Sequence, residues 1–419
     1  MRDPIYRKRP VGPRAAVLGG ERINDFIVLS EGLSNTYLLE SAEGNLQVNA
    51  GMAFEAPIHR ANFERLARGE TRTLVLTQGH VDHVGGVDYF RQHAPGLLVI
   101  ATAANTEHQA YDRRLTAFRG SRSAFAFAEA LGAAVAYSQE HCGPPPPQAS
   151  PTPDILFHGS HELTLGDLEV ELLAIPGAET NDSLVVWLPQ HRICLTGNLF
   201  GCPFGHFPNL VTIRGDRYRD PLTCAAAVEH VRALEPEMIL YGHHAPVVGA
   251  HLIQEELRVL RDAIHFVHDA TVAGMNAGHD VHYLMREISL PPELEVGEGY
   301  GKVSWSVRAI WEYYAGWFHH DSTTELFAVP RSRINEDLVE LAGGPAALVA
   351  RAREKLAGEH VEEAIHLLDI VLASGPTSEA LDAMIEAHEK LRSASENFWL
   401  SAWLDHQLAG LRSRRSAAR

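Results

Sequence analysis

The decapeptide Thr77-Gln78-Gly79-His80-Val81-Asp82-His83-Val84-Gly85-Gly86 constrains this chain more than any other stretch. It follows the apolar, β-rich run Thr73-Leu74-Val75-Leu76 and precedes a helix-like run. A strand that ends in such a loop presents side chains at a sheet edge, where several ligands share one cavity. Imidazole and carboxylate at this density are the donors that a divalent ion takes. A polar helix-capping loop also tolerates H-x-D-H, but the flanking Thr77 and Gly85-Gly86 argue against that reading. The chain's 24 histidines point the same way, towards metal or proton chemistry.

Around this loop, from about Ile27 to Val248, short β-rich runs alternate with turns. Ile27 to Leu29, Thr36 to Leu39, Leu97 to Ile100, Val170 to Ile175, Leu184 to Leu188, Ile193 to Leu195 and Met238 to Leu240 read as strands. Helical patterns sit between some of them, at Ala61 to Ala67 and Ala225 to Leu234. The expectation is a layered α/β domain over residues 1–260, with the proline-rich Gly143 to Pro153 as a surface loop or strap. Residues 261–419 read as nearly pure helix, with Ala364, Leu367, Leu368, Val371 and Leu372 on one stripe. Paired helices of this kind suit an interaction or dimer module, and the basic Arg412 to Arg419 reads as a frayed end.

Charge and composition narrow the partners. Arg plus Lys total 36 against 53 Asp plus Glu, a net −17 with no basic patch along most of the sequence, which argues against nucleic acid and anionic membrane. No apolar run is long enough to span a bilayer, and Met1 to Pro13 carries no readable secretion signal. Cys142, Cys194, Cys202 and Cys224 form no C-x-x-C pair, so a reducing cytoplasm is expected.

With its downstream motifs, the sequence resembles the metallo-β-lactamase superfamily, whose signature is H-x-H-x-D-H followed by glycine. Pro176-Gly177-Ala178-Glu179-Thr180, Leu195-Thr196-Gly197-Asn198 and Tyr241-Gly242-His243-His244-Ala245-Pro246 follow in family order, each after an apolar strand. The Pro-Gly-x-Glu context, Asn209 to Gly215, the Arg113-Arg114 pair, Tyr300-Gly301 and Val339 to Gly344 are similar to the alkyl sulfatase branch. The resemblance runs from about Ile27 to Leu411 and implies an αββα sandwich followed by an all-α dimerisation domain. The branch's third, lipid-carrier-like domain is expected to be missing.

The resemblance implies one divalent ion on Gln78, His80 and Glu179 and a second on Asp82, His83 and His243, with Asn198 at the bridging position. Gln78 and Asn198 depart from the family's histidine and carboxylate, so one or two ions are expected, zinc first, with manganese and iron as alternatives. His244 is read as a neighbour rather than a ligand. Thr212 and Arg214 match the family's sulfate-holding loop, and an arginine fork suits an oxyanion. Trp305 stands where the family places a histidine that protonates the leaving group. Trp305 and Trp317, with Trp311 and Phe318, are candidates for an apolar substrate wall, although such spacing also suits helix packing. The implied activity is a metal-dependent hydrolase in which Asp82, Thr212 and Arg214 serve catalysis and metal-bound hydroxide attacks the substrate. That substrate is a small anionic or electron-poor molecule, an activated aryl ether or ester or a sulfate ester. The alternatives are a true alkyl or aryl sulfatase, or a non-catalytic subunit of a hetero-oligomeric hydrolase. A homo-oligomer or a hetero-oligomer with a related subunit is expected.

Overall fold

Alternation along the apolar strands decides the layers, because successive side chains of a strand face opposite sides of its sheet. The computed structural model describes residue 5 and residues 9–201 and 203–418. Cys202, Arg419 and residues 1–4 and 6–8 of the basic N-terminal segment lie outside the described residues.

One sheet runs in the order β1 (Glu21–Arg22), β2 (Ile27–Ser30), β3 (Thr36–Leu39), β4 (Asn45–Val48), β5 (Thr71–Val75), β6 (Leu98–Thr102) and β7 (Ile155–Phe157). The other holds β8 (Ser160–Leu165), β9 (Leu168–Ala174), β10 (Leu184–Leu188), β11 (Ile193–Gly197), β12 (Met238–Tyr241) and β13 (Val247–Val248), also in chain order. Strands β4 to β7 pair in parallel, as do β11 and β12, while the remaining pairs are antiparallel. Val75 and Ile100 from the first sheet meet Val186, Leu195 and Leu240 from the second in one buried core.

Each sheet turns its other face to helices. These are α1 (Ala56–Leu66), α2 (Val81–Val84), α3 (Val87–His93), α4 (Asn105–Arg114), α5 (Thr116–Cys142), α6 (Pro221–Ala233), α7 (Ala250–Asn276), α8 (Val281–Glu287) and α9 (Val303–Ala315). Leu74 and Val99, one residue off the inward set, pack on Val84, Val87 and Phe90. Val185, Trp187, Ile239 and Tyr241 pack on Val228 and Val231 of α6 and on Leu257, Leu260 and Ile264 of α7. The result is the expected αββα sandwich. Helix α6 starts where it does because the Asp220 carboxylate accepts the Thr223 N–H at 2.7 Å and Pro221 occupies the first turn.

The chain divides into two compact units, residues 1–313 and 314–419. The boundary expected at residue 260 falls inside α7, whose apolar face belongs to the core of the second sheet, as do Val303, Val307 and Ile310 of α9. The 27-residue α5 leaves little trace in the sequence pattern, because it buries only Arg119, Ala134 and Ser138 and so carries no apolar stripe.

In the second unit, α10 (Asn335–Leu341), α11 (Pro345–Ala357), α12 (Val361–Ser374), α13 (Ser378–Ser393) and α14 (Phe398–Ala417) follow one another. Leu356, Leu368, Val371, Leu381, Met384 and Leu411 form their core. The tail read as frayed is instead the last turns of α14. Two of its arginines are paired, Arg412 with Glu389 at 2.8 Å and Arg415 with Asp382 at 2.7 Å. The described cysteines, Cys142, Cys194 and Cys224, are unpaired. Among the described residues no helix is long and apolar enough to cross a membrane.

Leu240 is fully buried between the sheets. Leu240→Ala is expected to destabilise the first unit by about 2–5 kcal/mol, read as a lower urea midpoint at unchanged slope. A loss below about 1 kcal/mol would mean that the two sheets are not packed as described.

Candidate metal centre

Loops leaving β5 and β12 bring Asp82, His83 and His243 together, with one ligand atom of each within 4.8 Å of the others. Asp82 Oδ2 lies 3.6 Å from His83 Nε2 and 4.0 Å from His243 Nε2. The short α2 sets Asp82 and His83 side by side, and His83 N donates to the His80 carbonyl at 2.9 Å. Gly242 is required beside His243, because a Cβ there would stand 2.0 Å from Asn198 Oδ1.

One tripeptide between β2 and β3 orients the site. The His243 ring N–H donates to the Leu33 carbonyl. Ser34 Oγ contacts His83 Nδ1 at 3.1 Å. Asn35 Nδ2 donates to the Tyr241 carbonyl at 3.1 Å and the His244 carbonyl at 2.8 Å, and Tyr37 Oη donates to Tyr241 at 2.7 Å. With Nδ1–H of His83 given to Ser34, its Nε2 lone pair faces Asp82, the arrangement that metal-ligating histidines adopt. Burial pushes His83 down to about 4 against the pull of Asp82, and lowers His243 from its ordinary value. Both rings are therefore neutral near pH 7, the form that binds a cation.

Two imidazoles and a carboxylate converging on one point fit a divalent ion of the zinc type. Asn198, expected at the bridging position, places Nδ2 3.0 Å from His83 Nε2, while its buried Oδ1 has no partner. For His83 to hold an ion, Nε2 would have to be released by Asn198, whose amide, turned over, would offer a neutral oxygen there.

The other expected ligand set is already engaged. The Gln78 amide lies 2.8 Å from His80 Nδ1. Glu179 pairs with Arg219 at 3.1 Å. Burial raises the Glu179 carboxyl and Arg219 opposes it; burial lowers Arg219, but Glu179 and Asp216 outweigh that. Arg219 reaches Asp216 at 3.8 Å, Asp216 accepts from Arg119 at 2.8 Å, and Arg119 bonds Asp112. A chain of alternating charges thus runs beneath the site. His80 lies beside His108, with ring centroids 5.0 Å apart. Burial and then His108 and Arg214 lower the His80 imidazole well below its ordinary value.

Arg214 is near enough for its charge to bear on His80, Asp112 and Glu179. Its Nε and Thr212 Oγ1 are buried and have no hydrogen-bond partner, while Arg122 fixes the loop backbone at Ile213 and Arg214. A cavity of about 250 Å³ opens nearby, lined by His108, Glu179, Asp216, Arg219 and Tyr313. Trp305 is half-buried on α9 with Lys302 Nζ 5.8 Å from its ring centroid. Trp311 packs at the edge of the α6–α7 core, whereas Trp317 belongs to the second unit and is 73% exposed. His244 is buried with positive φ, and neither ring nitrogen has a partner.

The sequence reading missed His108, Asp112 and the Leu33-Ser34-Asn35 tripeptide. The only signal for the first pair is the i, i+4 spacing that puts both on one face of α4.

A further residue acts from behind. Glu55 Oε1 accepts from Ala16 N at 2.8 Å and Leu33 N at 3.0 Å. Burial pushes this carboxyl up to about 7 from 4.5, against its backbone N–H bonds to Leu33, Ala16 and Met52. An acid whose pKa rises on folding binds its proton more tightly when folded. Stability should therefore fall as pH climbs from about 4.5 to about 7, by about 3 kcal/mol at 1.36 kcal/mol per pH unit. Glu55→Gln keeps the acceptor oxygen and should flatten that slope in urea titrations of the metal-free chain; an unchanged slope contradicts the assignment.

Metal loading checks the triad. His243→Ala should fail to retain an ion at this triad through gel filtration. Ser34→Ala, which frees the His83 ring, should weaken affinity by about 10- to 100-fold in chelator competition. Full retention by His243→Ala would remove the triad.

Comparison with known proteins bears on both units. The metallo-beta-lactamase superfamily model matches residues 29–243, and the alkyl sulfatase dimerisation model matches residues 281–412. A linear primary-alkylsulfatase of a Pseudomonas sp. strain is 30% identical over 328 residues, covering 73% of this chain and 60% of that protein. The alkyl/aryl-sulfatase BDS1 of Saccharomyces cerevisiae is 26% identical over 353 residues, 80% of this chain and 54% of that one. The chain thus spans little more than half the length of these curated relatives. The solved stereoselective inverting sec-alkylsulfatase Pisa1 from Pseudomonas sp. superposes with a TM-score of 0.79 at 20% identity, covering 94% of this chain and 66% of that one. At that identity the likeness shows the fold.

Proposed function

We propose, from the premise that the chain belongs to the metallo-β-lactamase superfamily and carries an alkyl sulfatase dimerisation region, that it is a metal-dependent hydrolase of small organic anions, sulfate esters first. The observation that carries this reading is the pair of buried, unpartnered donors Thr212 Oγ1 and Arg214 Nε, with the Arg214 charge bearing on His80, in a chain whose Asp82–His83–His243 triad suits a cation. Buried donors without partners are costly to leave unmade, and an oxyanion satisfies both. A divalent ion, zinc from the donor set, supplies Lewis acidity and lowers the pKa of water when bound. Thr212 and Arg214 bind and orient the anionic group. Asp82, the most exposed of the triad with 25% of its side chain accessible, orients an attacking water through a carboxylate oxygen.

Leaving-group chemistry narrows the substrate. Trp305 occupies the position where the family places a proton donor, and an indole is no general acid near pH 7. We therefore favour substrates whose leaving group departs as a stable anion: aryl sulfates and electron-poor aryl ethers or esters over unactivated alkyl sulfates. General acids contribute about 10²- to 10⁴-fold, so this preference should be large.

Assembly follows from the second unit, where Leu341 is 85%, Phe327 67% and Trp317 73% exposed. With the dimerisation match, these support a homodimer formed through the helical region. The three unpaired cysteines support a reducing, cytoplasmic setting.

On one zinc-loaded preparation, a nitrophenyl sulfate or a nitro-substituted aryl methyl ether should turn over faster than a medium-chain alkyl sulfate. Arg214→Ala should lower kcat/KM for the sulfate by about 10- to 150-fold, the worth of one charge-assisted hydrogen bond. No turnover of any of them would leave the non-catalytic subunit as the reading, and faster alkyl sulfate turnover would mean that another group supplies the proton. Sedimentation at micromolar concentration should give twice the 46.1 kDa chain mass; a monomer overturns the dimer.

A further inference from the structure

His80, His108 and Asp112 bring one ligand atom each within 4.8 Å of the others, a second convergence besides the Asp82–His83–His243 triad. It is not the set that the sequence resemblance implies. His80 belongs to both, but His108 and Asp112 come from α4, outside every motif that carries the resemblance.

Each of the three side chains offers one unsatisfied position. His80 Nε2 and His108 Nε2 are buried and make no hydrogen bond, and both residues are more than nine-tenths buried. Asp112 gives one carboxylate oxygen to Arg119, while the other, Oδ2, lies 4.0 Å from His108 Nε2. An imidazole Nε2 left dry and unpaired in two neighbouring histidines is expensive unless something takes both lone pairs.

The groups behind these side chains orient them for a cation. His108 Nδ1 lies 3.8 Å from Asp182 Oδ1, and Asp182 is itself held by Asn105 at 2.8 Å and Thr180 at 2.7 Å. A carboxylate behind one ring nitrogen leaves the other to a metal. On the other side, the Gln78 amide is 2.8 Å from His80 Nδ1. Presenting Oε1 there makes Nδ1–H the donor and leaves the His80 Nε2 lone pair free towards His108, an amide orientation equivalent in shape. Gln78 is then a positioning residue, which accounts for an amide where the family has an imidazole. Gly79 permits the approach, since a Cβ there would stand 3.1 Å from Asp182 Oδ2 and 3.2 Å from His108 Cδ2. Glu179, meanwhile, faces the Arg219 guanidinium at 3.1 Å, a cation already in place.

We propose that His80, His108 and Asp112 form a second divalent-cation site, shifted from the Gln78–His80–Glu179 position towards α4. Zinc bonds of about 2.0–2.2 Å set tetrahedral ligand atoms about 3.3–3.6 Å apart, so loading draws the three groups inward by rotation of side chains. Two imidazoles and a carboxylate select zinc over magnesium or calcium. The site does not rest on the hydrolase reading, because zinc is counted without turnover.

The experiment loads the chelator-stripped full chain with zinc alone and counts ions per chain by equilibrium dialysis and atomic absorption, with circular dichroism to confirm folding. Wild type should hold two equivalents. His108→Ala and Asp112→Asn should each hold one, His243→Ala should hold the other one, and Glu179→Gln should still hold two. One equivalent in wild type, two in His108→Ala, or one in Glu179→Gln overturns the proposal. Should the α4 variants fail to fold, an anomalous difference map of zinc-soaked wild-type crystals decides: density bonded to His80, His108 and Asp112 supports the site, and density on Glu179 or none overturns it.

Discussion

The contact between the two sheets is the constraint on which everything else depends. Val75, Ile100, Val186, Leu195 and Leu240 meet in one apolar layer, and three of the strands that carry them, β5, β11 and β12, lead directly into the loops of the site. Burial of this kind fixes register, because a slip of one residue would turn each inward side chain outward. The polar loops beyond the strand ends are therefore held at fixed offsets: Gln78 to His83 after β5, Asn198 after β11, His243 after β12. Chemistry-bearing residues distant in sequence meet because apolar residues a few positions earlier have no other place to go.

Beneath the site, charge is managed by alternation. Asp112, Arg119, Asp216, Arg219 and Glu179 follow one another in contact, three carboxylates and two guanidiniums. Taking one such group out of water alone would be prohibitive, and each is tolerable only because its neighbours are paired and hydrogen-bonded. The chain ties α4 to the loop between β9 and β10 and to the segment before α6, so the floor of the site is electrostatic where its frame is apolar.

Much of this was legible in the sequence, for physical reasons. Short apolar, β-rich runs bounded by turns marked β5, β10 and β12, and a dense His/Asp loop at a strand end has few uses besides a cation. Asp82, His83 and His243 come together as the motif order implies. What stayed hidden has causes too. His108 and Asp112 sit in Asn105-Thr106-Glu107-His108-Gln109-Ala110-Tyr111-Asp112, a segment so polar that it reads as a solvated helix face. Leu33-Ser34-Asn35 is a short loop whose work is done largely by backbone carbonyls and small side chains, which composition cannot flag. Arg219 is ordinary in sequence and becomes informative only when Glu179 is found against it. The arginine-rich end of α14 looked like a loose tail because its partners, Asp382 and Glu389, lie a helix away.

Glu55 has a consequence beyond its own titration. One oxygen of it holds both Ala16 and Leu33, and Leu33 in turn receives the His243 ring. The strap around Ala16 is further clasped by Asn62, which binds Gly19 N at 2.8 Å and the Val17 carbonyl at 2.9 Å. Docking of that strap and occupancy of His243 are then thermodynamically linked, and linkage is reciprocal. Whatever frays the segment ahead of β1, a fusion tag or a protease cut included, is felt as weaker affinity at a histidine more than two hundred residues away, and a bound ion in turn shields the strap from digestion.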